Sequence, residues 1–263
     1  MLRVGDPVPP PPARDADLAD DFSDGLRRER WVPHYLPHWT TPERSAARFR
    51  AADGGLELRI EHDQPDWRDE DAPLRVSNLQ TGTFSGAVGS RRGTHRHRPD
   101  GLRVRTATPT RLLFAPSAGR VDVTVSASRD PGCMLAVWLV GTEHVSPSDA
   151  GEICIFEIDA DAIGDVSIAR VGLKAHSDTR LVTDMAEVAV PLDASRPHTW
   201  TVVWGGGATV VGCEGRVVRS LAQAPGYPLF LMIDLFEVTA PVGAYPKSAM
   251  VHAVRGWDLT DAG

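Results

Sequence analysis

Gly151-Glu152-Ile153-Cys154-Ile155-Phe156-Glu157-Ile158 alternates carboxylate, apolar, thiol and apolar residues before delivering a second carboxylate. Residues two apart share one face of a strand, so Glu152 and Cys154 point one way while Ile153 and Ile155 point the other. Strict alternation sends Glu157, five residues after Glu152, to the wrong side. A one-residue β-bulge at Ile155 or Phe156 resets the alternation and returns Glu157 to the face of Glu152; bulges that re-aim a side chain are common beside active sites. The apolar positions between the carboxylates predict one face packed on a core and one polar face, as in an antiparallel sandwich sheet.

Two carboxyl groups about 5–5.5 Å apart above a cleft are what a retaining glycosidase requires, although two glutamates on a short strand also occur as a solvated face. With its flanks, the stretch resembles glycoside hydrolase family 16, the β-glucanases of the concanavalin-like fold, whose signature is Glu-x-Asp-x-x-Glu. Met134-Leu135-Ala136-Val137-Trp138-Leu139 resembles the tryptophan strand before that signature. Pro197-His198-Thr199-Trp200-Thr201-Val202-Val203-Trp204 resembles the family's Phe-His-Thr-Tyr-x-x-x-Trp strand, and Tyr227-Pro228 opens a segment like a late one. The likeness runs over residues 20–257. It implies an all-β, concanavalin-like jelly-roll sandwich of two antiparallel sheets with a concave substrate groove.

By that resemblance Glu152 is the nucleophile and Glu157 the general acid and base. Cys154 stands where the family has its central Asp; a thiol is a weak donor and a weak acceptor, so the change alters how the pair shares protons. The implied activity is that of a retaining endo-β-glucanase on β-1,3 or mixed β-1,3/1,4 linkages, with a poly- or oligosaccharide as the partner. A catalytically impaired carbohydrate-binding protein of the same fold is the alternative, on account of Cys154. Pairing across the loop 141–151 sets Trp138 opposite Cys154 and on the cleft face, where an indole can stack on a sugar ring. His176 resembles a histidine that lies near the acid in some family members, and Asn78 falls in a segment similar to the glycone end of the cleft. A structural role is open for His176, and a loop-capping one for Asn78.

Composition narrows the classes. The net charge of −7 offers no basic footprint for nucleic acid, and anionic membranes are equally poor partners. Three cysteines without a zinc spacing argue against a disulfide framework. No cofactor and no metal are expected, and His252 or a neighbour occupies the position where the family often carries a calcium-binding Asp. The first residues lack the apolar run of an export signal, so the expectation is a soluble chain, cytoplasmic or a mature secreted form. Nothing in the sequence fixes the oligomeric state.

Residues 1–19 hold Pro7-Val8-Pro9-Pro10-Pro11-Pro12 and read as a packed extended arm; residues 20–263 read as one sandwich domain. Trp31, Tyr35 and Trp39 suit core or loop packing rather than a sugar platform. Leu56, Leu58 and Ile60 alternate with charged residues as a half-buried strand. Shorter strands are expected at 104–106, 111–114, 121–125, 188–192, 229–235 and 249–257, and residues 62–73 as a loop. His95 and His97, two apart in His95-Arg96-His97-Arg98, have no third ligand at zinc spacing nearby, so a solvated rim loop is favoured over a metal site. Gly205-Gly206-Gly207 is a turn without the Lys-Ser/Thr ending of a phosphate loop.

Overall fold

Strands with an apolar residue at every second position need a cover for that face, and the chain provides it by stacking two antiparallel sheets. The structure is a computed structural model that describes residues 1–98 and 101–260. Its strands are β1 Leu18–Asp20, β2 Arg48–Ala52, β3 Gly55–Ile60, β4 Arg75–Gln80, β5 Gly82–Thr83, β6 Arg111–Leu112, β7 Gly119–Ser126 and β8 Cys133–Gly141. They continue as β9 Glu152–Asp159, β10 Ser167–Lys174, β11 Asp184–Val190, β12 His198–Gly205, β13 Ala208–Cys213, β14 Arg216–Leu221, β15 Leu229–Glu237 and β16 Lys247–Asp258. One sheet runs β14-β13-β12-β7-β16-β3-β2, with β1 also on β16; the other runs β11-β10-β9-β8-β15-β4. This is the jelly-roll sandwich expected from the sequence.

The core between the sheets follows the alternation residue by residue. Leu135, Val137 and Leu139 of β8, Ile153 and Ile155 of β9, and Leu231, Ile233 and Leu235 of β15 meet Val121, Val123 and Val125 of β7 and Trp200, Val202 and Trp204 of β12. At Ile155 the register of β9 against β8 shifts, Val137 facing Phe156 and Trp138 facing Cys154. Ile155 is thus the extra residue of a bulge, and both it and Phe156 enter the core, the Phe156 ring 4.7 Å from that of Trp200. An aromatic contact of this kind adds about 0.5–1.5 kcal/mol to the area buried. Two adjacent apolar residues facing inward are what force Glu157 back to the outer face.

The outer face of the six-stranded sheet is half covered. Tyr35, Trp39 and Trp67, with Leu102 and Val104, pack on Ala136, Trp138, Met232 and Phe236. Trp31 belongs instead to the core between the sheets, beside Phe22. The three aromatics, expected in core or loop packing, are therefore buried in two different layers. Over β9 and β10 this cover stops, and a cleft opens.

Some expectations change. Residues 104–106 are not a strand: Val104 exchanges backbone bonds with the loop at Gly89 and Ser90. The segment expected at 188–192 begins earlier, as β11. Part of the proline arm does bond to a sheet, Gly5 N and Val8 N donating to Val217 O and Gly215 O along the β13–β14 hairpin, and Leu18 and Ala19 already belong to β1. Among the described residues, no helix is long and apolar enough to cross a membrane.

Candidate active site

Glu152 and Glu157 come to one cleft because of the bulge, and β10 supplies the cations that face them. In the β9–β10 register Lys174 lies opposite Glu152, Gly172 opposite Cys154 and Arg170 opposite Glu157. Residues directly opposite on one face interact across the strands. Lys174 Nζ pairs with Glu152 Oε1 at 2.9 Å and donates to Glu157 Oε1 at 2.6 Å, while Arg170 Nε donates to Glu157 Oε2 at 3.0 Å. Gly172 is required between them: a Cβ there would sit 2.1 Å from Asp184 O, at a φ of +155°. Since one nitrogen holds an oxygen of each carboxylate at 2.9 and 2.6 Å, those two oxygens are at most about 5.5 Å apart, the upper end of the separation a retaining pair uses.

Glu152 is almost wholly buried. Burial alone would raise its pKa, but the hydrogen bond from His176 Nε2 to Oε2 at 2.8 Å and the Lys174 charge outweigh it and bring the carboxyl to about 2. The same carboxylates hold Lys174 above the ordinary lysine range against its burial. The Glu152 shift has a consequence for stability. Its folded pKa is depressed, so its contribution is present above the ordinary value of 4.5 and is lost as pH falls through about 2. At about 1.4 kcal/mol per pH unit this is roughly 3 kcal/mol. In urea unfolding, the stability difference between the native chain and Glu152→Gln is expected to be constant above about pH 5 and to shrink by that amount down to about pH 2. A difference that stays flat across this window would contradict the arrangement.

Trp138 lines the cleft with Tyr35, His95, Met134, Ala136, Lys174, His176 and Phe236, around a volume of about 200 Å³. The indole is only 5 % exposed and donates from Nε1 to Asp234 Oδ2 at 2.6 Å, so it is packed floor rather than an open platform. Asn78 does not reach the cleft. It is fully buried in β4 and donates to Asp234 Oδ1 at 2.7 Å, so the expected contact with sugar is replaced by a supporting role behind Trp138. Burial pushes Asp234 up to about 8, against these two N–H groups.

Cys154 sits under the cleft, fully buried, its Sγ 3.4 Å from Arg170 O; burial and then the Glu157 and Glu152 charges push the thiol well above its ordinary range. The neutral thiol does not bridge the glutamates. Lys174 does, and this is the residue the sequence reading missed. His176 lies on Glu152 rather than beside Glu157, projecting from a turn where its φ is +48°.

His95 is the other surprise. Its loop is pinned by Thr94 Oγ1 to Thr142 O at 2.8 Å and by its own backbone N to Glu143 Oε1 at 2.5 Å. The His95 ring lies edge-on to Trp138 and to His176, centroids 5.0 and 5.1 Å away. Burial pushes it down to about 3, so it stands neutral. His97, expected to share its fate, pairs with Asp71 at 3.2 Å and lies against Trp67. The local spacing gave no third donor to this pair; the fold brings Glu152 and His176 to His95 instead. A larger hollow of about 440 Å³ lies at the Cys133 and Asp159 end of the same strands, but its lining has neither an imidazole nor a glutamate.

No family model and no curated protein matches the chain. Solved structures do. The GlcNAcα1-4Gal-releasing endo-β-galactosidase from Clostridium perfringens superposes with a TM-score of 0.80 at 21% identity, over 96% of this chain and 66% of that one, so this chain spans just under two thirds of its length. A non-specific endo-β-1,3(4)-glucanase of family GH16 gives 0.65 at 15% identity, over 96% of this chain and 94% of that one. The laminarinase catalytic domain from Thermotoga maritima gives 0.62 at 16%, over 93% and 99%. The fold is therefore the jelly roll of the family 16 β-glucanases.

Proposed function

We propose that this chain is a retaining endo-β-glucanase that cleaves β-1,3 or mixed β-1,3/1,4 linkages by double displacement. The observation that carries the reading is the single ammonium, Lys174, set between two carboxylates on one cleft. Glu152, ionised and oriented by His176, attacks the anomeric carbon. The glycosidic C–O bond breaks toward the leaving oxygen, which takes a proton from Glu157. Water then gives a proton to Glu157 and its oxygen attacks the same carbon, releasing Glu152 with the original configuration. Tyr35, Trp138 and Phe236 supply the apolar walls of the cleft.

Two observations favour other outcomes. The Clostridium enzyme superposes more closely than the glucanases and is an endo-β-galactosidase, which makes a β-galactoside the second substrate class. Both Glu157 oxygens also accept from cations, Lys174 and Arg170, and Cys154 replaces the central Asp; these favour glycan binding without turnover. The test is product release from β-1,3-glucan, mixed β-1,3/1,4-glucan and galactan panels, with the anomer of the first product read by NMR. Retained configuration from a glucan is the expected result. Release from galactans alone moves the substrate class, and binding without product leaves the lectin-like reading.

A further inference from the structure

Two imidazoles from separate loops converge on one carboxylate at the mouth of the cleft. His95, Glu152 and His176 each offer one ligand atom, and these atoms all lie within 4.8 Å of one another. Glu152 comes from β9, His176 from the turn that follows β10 and His95 from the loop anchored on Thr142 and Glu143. The His95 ring makes no hydrogen bond among the described residues. The proposed catalysis does not use it.

The donor set is informative. Two imidazole nitrogens and a carboxylate oxygen are a set found in zinc sites, with metal–ligand distances of about 2.0–2.2 Å. Imidazoles select borderline transition metals over calcium or magnesium, which take oxygen ligands. The two oxygens of Glu152 have separate partners, Oε1 being held by Lys174 while Oε2 faces His176 at 2.8 Å. A metal would take the place of the proton between Oε2 and Nε2, with the His95 side chain closing in to reach bonding distance. Three protein ligands would leave a fourth position for water. Lys174 opposes the metal's charge, which sets the affinity below that of a structural zinc site. We propose that His95, His176 and Glu152 bind one Zn²⁺ and that the bound ion silences hydrolysis, because a carboxylate serving as ligand cannot attack sugar.

The silencing rests on Glu152 being the nucleophile, whereas the binding does not. The metal-free full chain is titrated with Co²⁺, whose visible d–d bands report tetrahedral binding, and then with Zn²⁺ in competition. The native chain, His95→Gln, His176→Gln and His252→Gln are compared, each checked for folding by circular dichroism. One equivalent of Co²⁺ is expected on the native chain and on His252→Gln, with affinity at least about tenfold weaker in the other two. Equal affinity in all four, or no binding by the native chain at millimolar Co²⁺, overturns the site. If the site binds and a glucan is hydrolysed, Zn²⁺ is expected to inhibit the native chain, and inhibition to weaken in His95→Gln; hydrolysis unaffected by saturating Zn²⁺ overturns the silencing. If no glycan is hydrolysed, the catalytic reading fails alone and the cobalt spectrum still decides the site.

Discussion

Glu152→Gln is expected to lower kcat for glucan hydrolysis by about 10⁴-fold or more with little change in binding, because it removes the atom that forms the covalent intermediate. The amide keeps the shape but not the charge that stabilises the fold, so the rate is read on protein shown to be folded by circular dichroism. A smaller variant sharpens the reading. Glu152→Ala leaves a space at the floor of the cleft, and azide entering it attacks the anomeric carbon directly from the nucleophile's side. The expected product is a glycosyl azide of inverted configuration, formed with substrates whose leaving group departs without help. Turnover undiminished in Glu152→Gln would remove Glu152 from the reaction and leave the cleft as a binding groove.

Much of this was legible in one strand. Ile155 and Phe156, adjacent and both apolar, can only both be buried if the strand bulges, and the bulge determines where Glu157 points. The turn at Gly205-Gly206-Gly207, with φ of 138°, 57° and 76°, was equally local. The misreadings share a cause. Asn78 looked like a polar residue free to meet sugar, but the outer face of β4 is covered, and its partner Asp234 is 156 residues away. His95 sits in a loop without periodicity, so its approach to His176 left no local signal. Lys174 did carry one: of 28 basic residues only Lys174 and Lys247 are lysine. Lys247 is fully buried, with Nζ donating to Pro131 O at 3.0 Å. In a chain that otherwise uses arginine, Lys174 brings the more compact cation to both carboxylates.

Lys174→Met should therefore have the second-largest effect, about a 10²-fold to 10³-fold loss in kcat/KM. Without the ammonium, Glu152 and Glu157 face each other with the oxygens it held at most about 5.5 Å apart, where two like charges at an effective dielectric near 20 repel by about 3 kcal/mol. Glu152 loses one of the partners that offset its burial, so its carboxyl rises from about 2 and the acid limb of the rate profile moves to higher pH. Arginine at the same position is not expected to restore the rate, since the gap opposite Glu152 is built for a point charge. The rescue to test is Cys154→Asp in the Lys174→Met background. A carboxyl at position 154, between the two glutamates, can share a proton with either and so separate their charges by another route. Alone, Cys154→Asp buries a third acid beside an ammonium already engaged by two, and is expected to slow the native chain. A double-mutant cycle should then show coupling above about 1 kcal/mol. Additive losses, or an unchanged acid limb in Lys174→Met, would mean that the ammonium only packs against the carboxylates. Strong coupling would mean that one site can keep its two glutamates apart with either a shared cation or a shared proton, and that this chain uses the cation.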